Sequence, residues 1–321
     1  MAPSAIQATE HVLPSVTKTL KLTEEPRVGT LSAQSATADD VVQALIRDGG
    51  VVVRNYVSSE TLSKLKAELS PYLAHDEGYE GAFFPRQTRR VLGVAGKSPT
   101  YCEELIAHPL WKEVTEILLT TTSSNWNGDE LFESVSKPQI NATAPAAIGP
   151  GARAQPLHRD DMIHHPRLPE ITAEQYEIGR DTGVGVFVAG VRTTKENGAT
   201  RFQPGSHLQN TMRRPDEGAA VQVELEAGDA FIMLASCYHG GSANTTKDVD
   251  RWMYALFMTK GYLRQEENQY LAVPRDKVLE CSEYVQRKLG YELSLPYMGF
   301  VDLADPLDFI KGVPTKPGDL F

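Results

Sequence analysis

The sequence predicts a mainly β fold, a sandwich or barrel, with helices at both ends. Three observations predict it. Apolar residues alternate with others in short runs after about residue 131, as in Val184, Val186 and Val188, and again in Val221, Val223 and Leu225. Breaks containing Gly, Pro and Asn separate those runs, as short strands joined by turns require. Helical spacing is confined to the stretches before 131 and after 275.

Residues 1–35 are rich in Ala, Ser, Thr and Pro without a sustained period, and read as a loosely ordered arm. Residues 36–321 read as one domain, because no composition break marks a second core. Thr37 opens a helix, with Asp40 placed for a weak capping box. Val41, Val42, Leu45 and Ile46 form its apolar face, and Gly49-Gly50 stops it. Val51-Val52-Val53 is a short buried strand. Ser58 or Ser59 caps the next helix, which carries Leu62, Leu65 and Leu69 on one face. The stretch 74–100 is irregular and rich in aromatics and Arg. One helix is expected over 101–119 and another over Val278–Leu289. Ala230–Leu234 and Trp252–Met258 are apolar strands.

The totals exclude several classes of function. A net charge of −10 argues against a nucleic-acid partner, which needs clustered Lys and Arg, and against a polybasic membrane dock. No apolar run approaches a membrane span. The three cysteines, Cys102, Cys237 and Cys281, are scattered, odd in number and without a C-x-x-C pair, which argues against a zinc knuckle or a disulfide framework. They suit a reducing compartment, and the N-terminus has no basic then apolar secretory pattern, so the expected location is cytoplasmic.

The segment Gln155-Pro-Leu-His158-Arg-Asp160 contains His-x-Asp. Residues two apart on a strand share a face, so His158 and Asp160 can grip one metal ion. The best third ligand is His239, which follows the strand Ala230–Leu234. Two His and one carboxylate form the facial triad of non-haem iron(II) oxygenases, which leaves positions open for other ligands. Twelve residues on, Arg251 starts an apolar strand. Its planar fork fits the distal carboxylate of 2-oxoglutarate. Gln155 lies three residues before His158, so in a regular strand it faces away; it reaches a co-substrate only if Pro156 distorts the chain. The Thr200 hydroxyl is placed to point into the barrel. Phe83 and Phe84 suit an apolar lid wall, and Met162 and His164 follow the ligands where substrate contacts are expected. His207 reads as a packed structural histidine.

Five stretches carry a family resemblance: QPLHRDDMIHH (155–165), NGATRFQPGSH (197–207), the run from GDAFIM to EENQY (228–270), TRRVLG (88–93) and AHPLW (107–111). In this order the chain resembles the phytanoyl-CoA dioxygenase-like family of iron(II)/2-oxoglutarate oxygenases over roughly 38–273. It looks most like the fungal branch that tailors terpenoid and alkaloid natural products. The resemblance implies a double-stranded β-helix, a cupin-like jelly-roll barrel flanked by helices. It implies His158, Asp160 and His239 as iron ligands, Arg251 as the main co-substrate anchor, and Gln155 and Thr200 as helpers. It also implies a homodimer. Because Asp160 is present, halogenation is disfavoured.

The expected function is oxidation of a bulky apolar small molecule in secondary metabolism, by hydroxylation, desaturation, rearrangement or peroxidation. It would use iron(II), O2 and 2-oxoglutarate, the last decarboxylated to succinate. Two rival readings stand beside it. A co-substrate-free iron oxygenase on the same barrel would keep the triad without needing Arg251. A non-catalytic metabolite-binding barrel would need neither.

Overall fold

A computed structural model describes residues 26–73, 81 and 83–314 of the chain. Two sheets form the jelly roll. In the larger, eight-stranded sheet the order is Gly29–Ser32, Gly50–Arg54, Ala230–Leu234, Gly183–Ala189, Arg251–Thr259, Ala146–Ile148 and Thr88–Arg90. Gln139–Thr143 also pairs with Arg251–Thr259. All pairings in it are antiparallel except that of Gly29–Ser32 with Gly50–Arg54. The smaller sheet joins Val221–Val223, Thr200–Phe202 and His239–Gly241.

The central strands are apolar on both faces. Gly183–Ala189 and Ala230–Leu234 are buried throughout, which explains why Ala230–Leu234 reads as a run, while the alternation of Val184, Val186 and Val188 marks no solvent-facing side. Val51 and Val53 stand opposite Ile232 and Ala230. The helix Ala38–Asp48 covers this region with Val41, Val42, Leu45 and Ile46, all buried. Its capping box is complete: the Thr37 hydroxyl accepts from the Asp40 N–H, and the Asp40 carboxylate accepts from the Thr37 N–H. Gly49 ends the helix at φ 81°, where a Cβ would sit 2.3 Å from Cys237 Sγ and 2.6 Å from His207 Nδ1. Only glycine fits that turn. His207 is fully buried there, with Nε2 2.9 Å from the Ile46 carbonyl oxygen.

Three expectations need adjustment. The arm expected over 1–35 falls mostly outside the described residues, but Gly29–Ser32 forms an edge strand. The helix expected over 101–119 is broken. A π segment, Cys102–Ile106, precedes the α-helix Pro109–Leu119. Pro109 lacks an N–H and forces His108 to extended backbone (ψ 127°), so one continuous helix cannot form. The expected helix Val278–Leu289 splits into Arg275–Glu280 and Glu283–Lys288, because Cys281 is extended and Ser282 caps the second piece.

The capping box generates a stability test. Thr37→Ala removes a side-chain acceptor from the first turn of a helix that seals the main sheet. Unfolding free energy should drop by about 1 kcal/mol, read as a lower urea midpoint at constant slope. An unchanged midpoint would mean that the cap contributes nothing.

Candidate active site

His158 and His239 meet across an isolated antiparallel bridge. The N–H of each donates to the carbonyl oxygen of the other, both at 2.9 Å. Gly240 permits this approach, since a Cβ there would lie 2.9 Å from the Pro156 carbonyl oxygen. Just beyond His158 the chain turns into a single 3-10 segment, Asp160–His164, which swings the Asp160 carboxylate between the two imidazoles. Asp160 Oδ1 lies 3.5 Å from His158 Nε2, and Oδ2 lies 3.5 Å from His239 Nε2. The three ligand atoms all fall within 4.8 Å of one another.

Two anchors set the ring orientations. His158 Nδ1 is 2.9 Å from the Pro156 carbonyl oxygen, and His239 Nδ1 is 3.2 Å from that of Cys237. A carbonyl partner demands a proton on Nδ1, which leaves the Nε2 lone pair for a metal. The turn carrying Asp160 is pinned from beneath. Arg159 and Asp161 form a buried two-point pair at 2.8 and 3.1 Å, and the Asp161 N–H donates to the Ala235 carbonyl.

The donor set fits a divalent metal. Metal–ligand bonds of about 2.1 Å would bring three adjacent donor atoms to about 3 Å from one another, so little movement is needed. Asp160 Oδ2 is buried without a hydrogen-bond partner among the described residues. Burial holds the Asp160 carboxyl up to about 6, against the opposing pull of His158. Burial, and then the charge of His158, depress His239 to about 3. His239 therefore stays neutral and able to ligate.

These residues sit in one wall of a cavity of about 410 Å³. The strand Arg251–Thr259 supplies much of another wall. Arg251, Met253, Ala255 and Phe257 face the cavity, while the buried Trp252, Tyr254, Leu256 and Met258 alternate with them. Phe187 and Phe257 meet edge to face at 5.4 Å between centroids. Phe83 presents its ring at 4.8 Å from the His158 ring, and Phe84 packs edge-on against Phe83.

Arg251 is buried, and among the described residues no carboxylate pairs with it. Its guanidinium donates to the Gly198 carbonyl (2.7 Å) and the Thr200 hydroxyl (3.1 Å), and its Nε has no partner among those residues. Burial lowers its pKa to about 10, still charged at neutral pH. Gln155 also lines the cavity, with Oε1 accepting from the Gly241 N–H at 3.1 Å.

The structure thus brings His158, Asp160, His239, Arg251, Gln155, Thr200, Phe83 and Phe84 around one cavity. Met162 and His164 are not in its lining. Met162 is 57% exposed, and His164 Nε2 lies 3.2 Å from the Arg264 carbonyl oxygen. The 3-10 turn that aims Asp160 inward carries the following side chains away. Sequence reasoning missed Phe187, Met253, Phe257, Glu266 and Glu267 as lining residues. Parity along the strand that begins at Arg251 would have found Met253 and Phe257.

The profile of the phytanoyl-CoA dioxygenase family matches residues 45–253. The chain is 42% identical over 291 residues to dioxygenase peniF of Penicillium patulum, covering 90% of this chain and 93% of that protein. It is 40% identical over 315 residues to dioxygenase himG of Aspergillus japonicus, covering 95% of each. Among solved structures, the non-haem α-ketoglutarate-dependent epimerase SnoN from nogalamycin biosynthesis superposes with a TM-score of 0.51 at 21% identity, over 70% of this chain and 83% of that one. HygX from Streptomyces hygroscopicus, solved with nickel, 2-oxoglutarate and hygromycin B bound, gives 0.51 at 16% identity, over 70% and 88%. At these identities the structural matches speak for the fold.

Metal affinity should depend on pH in one direction. The ligand carboxyl must lose its proton to bind. With Asp160 held up to about 6, affinity should be flat above that pH. It should fall by roughly tenfold per pH unit below it, the slope for one displaced proton. Calorimetric titration of the metal-free protein with manganese(II) at several pH values checks this. A constant affinity from pH 7 to 5 would rule out Asp160 as the titrating ligand.

Proposed function

The chain belongs to the phytanoyl-CoA dioxygenase family, and we propose that it oxidises a bulky, largely apolar natural product with iron(II), O2 and 2-oxoglutarate. The observation that carries the co-substrate is the buried Arg251 charge, which among the described residues has no acidic partner and lies in the same cavity as the triad. A barrel that bound only metal, or only an apolar metabolite, would have no use for that charge. Burying it costs several kcal/mol unless an anion compensates it.

His158, Asp160 and His239 would hold the metal. When bound there, iron supplies the activation of O2, coupled to oxidative decarboxylation of the 2-oxo acid to succinate. The protein's share is positioning. The fork of Arg251 takes the distal carboxylate in two-point contact, with Thr200 holding one of its nitrogens in place. Gln155, fixed through Oε1 by the Gly241 N–H, keeps its amide donors for the oxo acid. Phe83 covers the edge of His158 and, with Phe187 and Phe257, keeps water from the reacting carbon. Hydroxylation, desaturation, rearrangement and peroxidation then differ only in which substrate atom lies nearest the metal. Terpenoids and alkaloids are the substrate classes this reading favours. The cytoplasm is the favoured location, supported by three cysteines that are all free thiols. Among the described residues no helix is long and apolar enough to cross a membrane.

The same reading makes the protein a homodimer. What supports it is the hairpin of Thr121–Asn127 and Glu130–Ser136, which pairs with no other strand among those described. Its cross-strand partners Trp126 and Leu131 are 70% and 58% exposed. An isolated hairpin is marginally stable in water, and a second copy packing on this pair would stabilise it. Light scattering after gel filtration should give twice the chain mass, and Trp126→Ser with Leu131→Ser should give the monomer. A monomeric wild type overturns the proposal.

The catalytic reading is tested by anaerobic titration of the metal-free protein with iron(II) and 2-oxoglutarate. A weak visible charge-transfer band should form and be lost in His239→Ala. In Arg251→Ala the band should need roughly tenfold or more co-substrate, as expected for a lost charge-assisted contact of about 1.5–3 kcal/mol. Iron bound without any band would sink the 2-oxoglutarate assignment and leave an oxygenase that uses none.

A further inference from the structure

Two of the three thiols face each other. Cys102 opens the π segment Cys102–Ile106, and Cys281 sits in the extended link between the helices Arg275–Glu280 and Glu283–Lys288. They are 179 positions apart in the chain, yet their sulfurs lie 3.9 Å apart. Both also reach the Ala95 carbonyl oxygen, Cys102 Sγ at 3.5 Å and Cys281 Sγ at 3.8 Å. Ala95 lies in the short turn Val94–Gly96, which backs the cavity wall. Just before it, Leu92 lines the cavity, and the Gly93 N–H donates to the carboxylate of Glu267, another lining residue. On the other side a Cβ at Gly96 would lie 3.3 Å from Pro274 Cδ and 3.7 Å from Lys277 Cβ, so the helix that leads to Cys281 packs directly behind the turn.

The pair is asymmetric. Cys102 is buried, whereas Cys281 is half-buried and open to small solutes. The hydrogen bond from the Cys102 thiol holds the Cys281 pKa below the ordinary thiol value, against the opposing pull of burial and of the Glu280 charge. The same contact, then burial, pushes Cys102 up. An accessible sulfur with added thiolate character beside a buried thiol is the arrangement of an attacking cysteine next to a resolving one. Cys237 gives the contrast. It is fully buried, with Sγ 3.4 Å from the Gly49 carbonyl oxygen, and burial pushes its pKa up.

We infer that Cys102 and Cys281 form a redox-modification site, closed by a hydroperoxide into an intramolecular disulfide that staples the π segment to the C-terminal helices behind the cavity wall. The inference does not depend on the reaction proposed above. The Cys281 thiolate attacks the peroxide O–O bond. It keeps one oxygen as a sulfenic acid, and the other leaves as hydroxide and is protonated to water. The Cys102 sulfur then bonds to Cys281 Sγ and displaces that oxygen, which departs with the Cys102 proton as a second water. Two thiols are oxidised by two electrons, and one peroxide is reduced to two waters. A sulfur–sulfur bond of about 2.0 Å requires the pair to close by about 2 Å, which is within reach of rotation about the Cys281 Cα–Cβ bond. In a reducing compartment the dithiol is the resting form, so the bond forms only under oxidant and is reversed by thiols.

The test exposes the full chain to hydrogen peroxide in modest excess, with a chelator present, and then denatures and alkylates it. Intact mass and peptide mapping are the readouts. Untreated wild type should take up three alkyl labels, one per cysteine. Treated wild type should take up one, at Cys237, and yield a peptide pair linked through Cys102 and Cys281; dithiothreitol should restore all three labels. Cys102→Ala should stop at the Cys281 sulfenic acid, trapped by dimedone. Cys281→Ala should keep both remaining thiols through the same exposure, and Cys237→Ala should close the bond as wild type does. The thermal midpoint of the oxidised wild type should exceed that of the reduced protein by about 5 °C, as expected for a staple across a long loop. Three labels after treatment, a link through Cys237, a link between chains, or oxidation of single sulfurs without a link overturns the proposal. A linked pair with an unchanged or lowered midpoint overturns the staple.

Discussion

Two backbone hydrogen bonds between His158 and His239 are the constraint on which the site depends. They join residues 81 positions apart, one on a segment outside the named strands and one on the smaller sheet (239 − 158 = 81). Their antiparallel register fixes the separation of the imidazoles before any metal arrives. It also dictates local composition. The segment must be able to approach Gly240, Asp160 must turn inward at once, and the turn must be nailed down by the Arg159–Asp161 pair. A metal bound here links the bridge to the turn, so occupancy adds stability by mass action that grows with the logarithm of its concentration relative to its dissociation constant.

The Arg251 end of the cavity works by the opposite logic. The bridge is satisfied in itself, whereas Arg251 is left wanting. Its carbonyl and hydroxyl partners orient the fork but cannot neutralise it. A hydrophobic residue there would cost the empty fold less. Keeping the arginine sacrifices stability, a compromise natural active sites commonly make. The triad carboxylate shows the same tension, with Oδ2 buried and unpartnered.

Much of this was legible in the sequence because it rests on short-range rules. The Thr37–Asp40 box, the His-x-Asp doublet and an arginine opening an apolar strand are all local patterns, although a 3-10 turn and not strand parity brings Asp160 beside His158. A sandwich or barrel followed from alternation and turn spacing, and the jelly roll in particular from the family resemblance. What was hidden depends on chain direction, which a pattern cannot supply. Gln155 reaches the cavity although regular parity turns it away, because the bridge-forming segment is not a regular strand. Met162 and His164 leave the cavity because a 3-10 turn intervenes. Pro109 broke a helix whose apolar periodicity continued across it.

One strand carries the two ends of the chamber. Arg251 opens it, and Met253, Ala255 and Phe257 follow on the same face. At about 3.4 Å per residue, the inward face from 251 to 257 measures about 20 Å. Under the proposed function it works as a graduated ruler, with the Arg251 clamp at zero and size-setting side chains at later marks. Enlarging Ala255 or trimming Phe257 changes how long a molecule fits without disturbing the clamp. A lineage descended from such a barrel can drift from one product scaffold to another by single substitutions at those marks while the oxidative chemistry is inherited unchanged. The modularity of the reaction is thus built into the two-residue repeat of a single β-strand.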